Sequence, residues 1–343
     1  MKKITLLFTA LVFGFTANAQ QVATLQSGGV TTIYTNTNPL IDAYNAAIGG
    51  DTILLSGGAF TTPSYIAKGV AIIGAGIGPD STVATYPTLL AGNLNISNGA
   101  DSLYVEGVQL TGSLLMPSAA KSDFVSFVRC HFLNTVDLKS GSSTRPVAAT
   151  NWSFIQCVFQ SSFSSNQTVN SLYISNIYQT MLYHSSSNTF QNNIFLHATG
   201  YGSWLFQYFN NNILSNNIFL FSSAYFTYSS ASNLYQNNVF VSVTSDYGST
   251  PIINGNYNGV NADSIFVNQS GSVFNWSHNY HLKASAAASY VGYDNTQVGV
   301  YGGFMPLREG WVPLNPHVSF KQIPGVTNNQ GILNIQVKAR AQQ

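Results

Sequence analysis

Charge is the scarcest property of this 343-residue chain: 7% of its residues are Asp, Glu, Lys or Arg, against roughly 25% in ordinary soluble domains. Twelve Lys and Arg face eleven Asp and Glu. No basic cluster is dense enough to neutralise a run of phosphates, which excludes nucleic acid as a partner. Residues 146–245 contain no Asp, Glu, Lys or Arg at all. Glycoside hydrolysis needs two carboxyl groups facing one bond, and calcium needs several hard oxygen ligands, some of them anionic. That stretch supplies neither. Cysteine occurs only as Cys130 and Cys157, without the Cys-x-x-Cys spacing of a redox motif. His184 and His197 stand among uncharged neighbours, and His278 and His281 lie far down the chain, so no metal-ligand spacing emerges. For each histidine the expected role is a surface or inter-coil hydrogen bond. No metal and no cofactor is expected.

Long apolar runs are also missing after the first residues. Lys2 and Lys3 precede an apolar stretch over residues 4–15, and Ala17-Asn18-Ala19 offers a small-x-small cleavage site. This pattern predicts a secretory signal peptide over residues 1–19, and its apolar part is too short to span a bilayer. The expected product is residues 20–343, secreted to the periplasm, the outer surface or the medium, with no transmembrane segment. Without Lys2 and Lys3 it carries 12 − 2 = 10 basic residues against 11 acidic ones. The chain is 45% hydrophobic, too rich in apolar residues for a disordered protein. Solubility falls to Ser, Thr, Asn, Gln and backbone groups, which suits a β-solenoid.

What is present is a repeat. Asn188-Thr-Phe-Gln-Asn-Asn-Ile-Phe195 returns as Asn212-Ile-Leu-Ser-Asn-Asn-Ile-Phe219 and as Asn233-Leu-Tyr-Gln-Asn-Asn-Val-Phe240. With the second Asn of each pair as a node, Asn193, Asn217 and Asn238 are spaced by 24 and 21 residues. Asn176, Cys157 and Cys130 fit the same frame going backwards, and Gly107 extends it. Two residues beyond the node stand Phe132, Phe159, Tyr178, Phe195, Phe219 and Phe240, aromatic in every case. One residue beyond it the chain has Val or Ile, with His131 the exception. An irregular period of this length means one coil per repeat, with coils stacked about 4.8 Å apart. Asn176, Asn193, Asn217 and Asn238 would then form a ladder, each amide donating on one side and accepting on the other, while the aromatic column fills the interior. The fold predicted is an all-β parallel β-helix.

The node pattern resembles the right-handed β-helices of the pectin-lyase-like superfamily. Residues 38–60, with Gly50-Asp51-Thr52-Ile53 opening a strand, are similar to that family's entry, and residues 65–76 to its second coil. Residues 263–268, 280–283 and 294–303 resemble its closing coils and tail. The resemblance covers roughly residues 30–305 and implies the handedness. It also implies a short capping helix in which Leu40, Ile41, Tyr44, Ala47 and Ile48 share one face and plug the first coil. The organisation expected is a solenoid over residues 20–290 and an irregular C-terminal appendage over 291–343. The alternating run at 331–338 is expected as a strand pairing with the final coil.

The superfamily contains lyases, hydrolases and adhesins, so fold alone does not choose an activity. Three readings stay open. The first is a secreted, non-catalytic binding or structural module directed at polysaccharide. Its candidate ligand-binding residues are Tyr201, Trp204, Tyr208, Tyr225 and Tyr228, rings beside Gly, Ser and Thr that could stack on sugars. The second is a polysaccharide lyase or glycoside hydrolase drawing on the charged region 101–145, with Asp101, Asp123, Asp137, Lys139 and Arg145 as its candidates and calcium as the cofactor of the lyase version. The third is a purely structural component, its protein partner unspecified. Cys130 and Cys157, one coil apart, are either a disulfide or two free inward-facing thiols.

Overall fold

The computed structural model describes residues 21–117, 120–138, 149–165, 168–196, 204–221, 226–243 and 246–340. Among them the chain winds into a parallel β-helix of about eight turns. Three sheets of twelve, nine and seven strands run along its sides. In the twelve-stranded sheet, parallel pairing runs from Thr52–Leu55 to Ile252–Asn254, and two antiparallel strands, Ala23–Ser27 and Val30–Tyr34, cover its first edge. The register is constant from coil to coil: Phe127, Phe154, Tyr173, Phe190, Leu214 and Tyr235 occupy one inward row. The node-plus-two aromatics form a second inward row in the nine-stranded sheet. Phe132, Phe159, Tyr178, Phe195, Phe219 and Phe240 stack face to face at 4.7–5.0 Å. Because identical rings recur one strand spacing apart, each gains an aromatic contact worth about 0.5–1.5 kcal/mol beyond its buried area.

The coils turn at rows of left-handed residues. Gly107, Arg129, Gln156, Ser175, Asn192, Asn216, Asn237 and Gly255 have φ between 49° and 65° and lie in one row by register. Gly107 therefore belongs with Arg129, one place before the node expected for it; Val108 is the true equivalent of Cys130. Asn tolerates this conformation because its short amide bonds locally, which explains its recurrence here. The next residue in each coil builds the ladder. Asn193 Oδ1 accepts from the Asn176 amide at 2.9 Å, Asn217 Oδ1 from that of Asn193 at 2.9 Å, and Asn238 Oδ1 from that of Asn217 at 2.9 Å. Asn256 continues the row. A second ladder, Ser171, Asn188, Asn212 and Asn233, lines another corner with the same bonds. Its signal was the first Asn of the repeated motif.

Cys130 and Cys157 are buried free thiols, the Cys130 amide donating to Cys157 Sγ at 3.4 Å. Burial, then the neighbouring Cys130 thiol, push the Cys157 thiol well above its usual range. Of the two arrangements open from sequence, this is the stacked-thiol one.

Both ends depart from expectation. The helix Pro39–Ala46 buries Leu40, Ala43 and Tyr44, whereas Ile41 is only half-buried and Ile48, beyond the helix, is 65% exposed. The helix is too short to carry Ile48 round to the core face. Parallel stacking stops at Tyr257, well before residue 290. The reason is chemical: Asn258 stands two places after the node Asn256, so no aromatic continues the interior column. A 3-10 turn, Ala262–Ser264, and an antiparallel hairpin, Phe266–Asn268 with Asn279–Leu282, follow, and then the helix Ala284–Ser289. The strand Gln336–Arg340 pairs with His317–Gln322 in a hairpin of its own and does not meet the final coil.

Between these elements, residues 291–314 run back along the outside of the solenoid as a strap. The left-handed corner row holds it. Asn237 Nδ2 donates to Val291 O at 3.1 Å, Asn216 bonds both Tyr293 N and Asp294 Oδ1, and Asn192 Nδ2 donates to Gly299 O. Ser175 Oγ reaches Met305 O at 2.7 Å and Gln156 Nε2 reaches Pro306 O at 2.6 Å. Glu106 Oε1 accepts from Leu314 N. Under the strap lies the node-plus-one column, Val158, Ile177, Ile194, Ile218 and Val239, which packs with Val298, Val300 and Leu307 into a second core. Gly299, at φ 77°, sits so close that a Cβ there would fall 2.7 Å from Ile218 Cδ1.

Candidate functional site

The seven-stranded sheet carries the feature with most functional content. Its strands are short, and inward and outward residues alternate. Leu94, Leu114, Val136, Phe163, Leu182, Phe206 and Thr227 form the inward row. The adjacent outward row is Asn95, Leu115, Asp137, Ser164, Tyr183, Gln207 and Tyr228. At the far end of this face a third left-handed corner, His184, Tyr208 and Ser229 with φ of 50°, 55° and 48°, turns further rings outward.

The rings form a continuous strip. Trp204 lies 4.7 Å from Tyr228, Tyr228 meets Tyr208 edge-on at 5.6 Å, and Tyr208 stacks on His184 at 4.8 Å with 5° between planes. Tyr183 extends the strip from His184 at 6.4 Å. Tyr208 and Tyr228 are 42% and 41% exposed, and Trp204, Tyr183 and His184 are half-buried. Burial raises the Tyr183 phenol above its ordinary value. Of the five candidate ligand-binding aromatics, Trp204, Tyr208 and Tyr228 are thus brought together; Tyr201 and Tyr225 lie outside the described residues, as does His197. Tyr183 and His184 were missed. The available signal was the 24-residue interval from His184 to Tyr208, equal to that from Asn193 to Asn217.

The charged candidates are distributed differently. Asp101 and Asp123 occupy successive positions of one corner. Asp101 Oδ1 accepts from Asp123 N at 2.7 Å, and Asp123 Oδ1 accepts from Thr150 N at 2.7 Å. Asn210 does the same for Ala231 in a later coil, so these carboxylates act as corner acceptors. Burial works against the Asp123 charge, but the Thr150 amide and the Lys121 ammonium, 3.1 Å away, outweigh it and hold the carboxyl below its ordinary range. Asp137 lies instead in the outward row of the aromatic face, two coils before Tyr183. Lys139 and Arg145 lie outside the described residues. Among the described residues no group of three or more His, Cys, Asp and Glu side chains is placed to hold a metal ion, and no helix is long and apolar enough to cross a membrane.

Among the described residues one charged pair is fully buried. Arg129 and Glu106, each 4% exposed, form an ion pair beneath the strap, with Gln156 Oε1 accepting from Arg129 Nη1 at 2.9 Å and the Tyr104 hydroxyl donating to Glu106 at 2.7 Å. Burial first, then the Glu106 charge, push the Tyr104 phenol far up. The pair meets the strap where Leu314 N donates to Glu106 Oε1. No protein-family model, curated protein or solved structure matches this chain.

Proposed function

We propose that this is a secreted, non-catalytic β-helix that binds polysaccharide along the seven-stranded sheet. The observation that carries the reading is the contiguous strip from Trp204 through Tyr228 and Tyr208 to His184 and Tyr183, presented across adjacent coils. Aromatic faces stack on the apolar faces of pyranose rings, and neighbouring amide, hydroxyl and carboxylate groups bind their hydroxyls. Gln207 and Asp137 supply an amide and a carboxylate in the same outward row. The coil spacing of about 4.8 Å is close to the length of one sugar in an extended chain, so a glycan laid along the solenoid axis would present one ring per coil. Membership of the right-handed pectin-lyase-like superfamily, the signal peptide at 1–19 and export belong to this same proposal.

Affinity electrophoresis through gels cast with soluble polysaccharides tests it, with product release assayed in parallel with calcium and with chelator. Tyr208→Ala and Tyr228→Ala are each expected to weaken retention by an amount corresponding to about 0.5–1.5 kcal/mol, roughly 2- to 12-fold in Kd. Retention of both variants at the wild-type level would remove the strip from the binding site. Calcium-dependent release of unsaturated oligosaccharides would replace this reading with the lyase one.

A further inference from the structure

A second site lies where the strap meets the start of the solenoid. The loop after the strand Ala71–Ile73, the tip of the 266–282 hairpin and residues 301–311 of the strap enclose a cleft of about 400 Å³, within the roughly 300–1,000 Å³ of small-molecule sites. Three segments distant in sequence build it, and Ile77 N donating to Trp311 O at 3.1 Å fixes the strap against the loop. Trp276 and Trp311 line it at right angles, ring centroids 5.8 Å apart, with Tyr280 and Tyr301 beside them. Two carboxylates, Asp80 and Glu309, open onto the same space, and no lysine or arginine lines it.

The charge distribution selects the ligand. Ring faces are the negative part of an aromatic quadrupole, and a cation held against them is attracted more strongly as water is excluded. Here the rings stand with two carboxylates, and the one basic side chain in the lining is His278, whose Nδ1 lies 3.2 Å from the Tyr280 hydroxyl. Glu309 is itself positioned. His281 Nε2 lies 2.8 Å from its Oε1, the His281 ring stacks on Tyr301 at 3.7 Å, and the Tyr301 phenol, raised by burial and then by Glu309, stays protonated as a donor to that carboxylate. We propose that this cleft binds a small organic ammonium cation, its charge against the Trp276, Trp311 and Tyr rings and its N–H or C–H donors towards Asp80 and Glu309. The inference is independent of the aromatic strip, which occupies later coils on another sheet.

Two of the four tryptophans line this cleft, so intrinsic fluorescence, with calorimetry alongside, reads binding directly. The full chain is titrated at pH 7, where both amines carry their charge, with choline, glucosamine and glucose. Choline or glucosamine is expected to bind at least roughly tenfold tighter than glucose. Tighter binding of choline identifies a quaternary-amine source, and tighter binding of glucosamine an amino-sugar source; either supports the site. Equal binding of glucose, or no binding of any of the three at tens of millimolar, overturns it. Trp276→Ala is expected to abolish the response. Glu309→Gln, at a residue whose side chain is 74% exposed and so tolerant of the change, is expected to weaken cation binding several-fold while leaving the melting temperature unchanged. Unaltered cation affinity in Glu309→Gln overturns the assignment.

Discussion

At the scale of single residues, His131 is the informative exception. It occupies the node-plus-one column that is otherwise Val or Ile, is 2% exposed, and packs against Phe274 and Trp276. Burial pushes its pKa down to about 4, only partly opposed by the side chain of Gln160. The unfolded chain takes up a proton near pH 6.5 that the folded chain refuses. Stability is therefore full above about pH 6.5 and is lost as pH falls towards 4, by roughly 3 kcal/mol in all. Urea midpoints measured from pH 7.5 to 4 are expected to show this fall. His131→Val, which restores the residue type of the column, is expected to flatten it. A variant that keeps the wild-type slope would place the titration elsewhere.

At the scale of elements, the strap and the corner row depend on each other, and the Glu106–Arg129 pair is where that dependence is electrostatic. Glu106→Ala leaves the guanidinium buried without its partner and is expected to cost about 3–5 kcal/mol. The double change Glu106→Val with Arg129→Asn reproduces the side chains of other coils at those positions, Val128 and Asn192 among them, and is expected to cost far less in thermal melts. The sequence made some of this legible and hid the rest, for physical reasons. Side chains that repeat in register, such as the node asparagines and the Phe column, leave a period that can be counted. The strap leaves none, because what it offers Asn237, Asn192, Ser175 and Gln156 are backbone carbonyls, which any residue carries. The outward apolar column was visible as Val158, Ile177, Ile194, Ile218 and Val239, but its covering was not. For the same reason the aromatic strip was only partly readable, since His184 and Tyr208 meet through register rather than proximity. The cleft was invisible, since its walls are some two hundred residues apart in the chain.

At the scale of the whole molecule, a solenoid held only by neighbour-to-neighbour contacts unravels from its ends. Here the strap bonds coils at both ends and in the middle, so partial opening of one end must also strip the apolar column it covers. Urea unfolding is expected to be a single transition, coincident by far-UV circular dichroism and by tryptophan fluorescence, which samples both the interior at Trp152 and the strap at Trp311. Cleavage at an engineered protease site after Tyr290 is expected to separate the two signals; separate transitions in the intact chain would show that the strap does not couple the coils.

Because the strap returns to its starting end, the hairpin His317–Gln322 with Gln336–Arg340 comes to rest beside the first coils, where His317 and Lys321 share a hollow with Leu54 and Ile73. The chain thus enters and leaves the solenoid at one pole, and the coil ending at Tyr257 forms the other. About eight coils at roughly 4.8 Å give a rod some 40 Å tall. Along that rod the aromatic strip lies in the later coils, away from the pole where the first coils and the C-terminal hairpin meet.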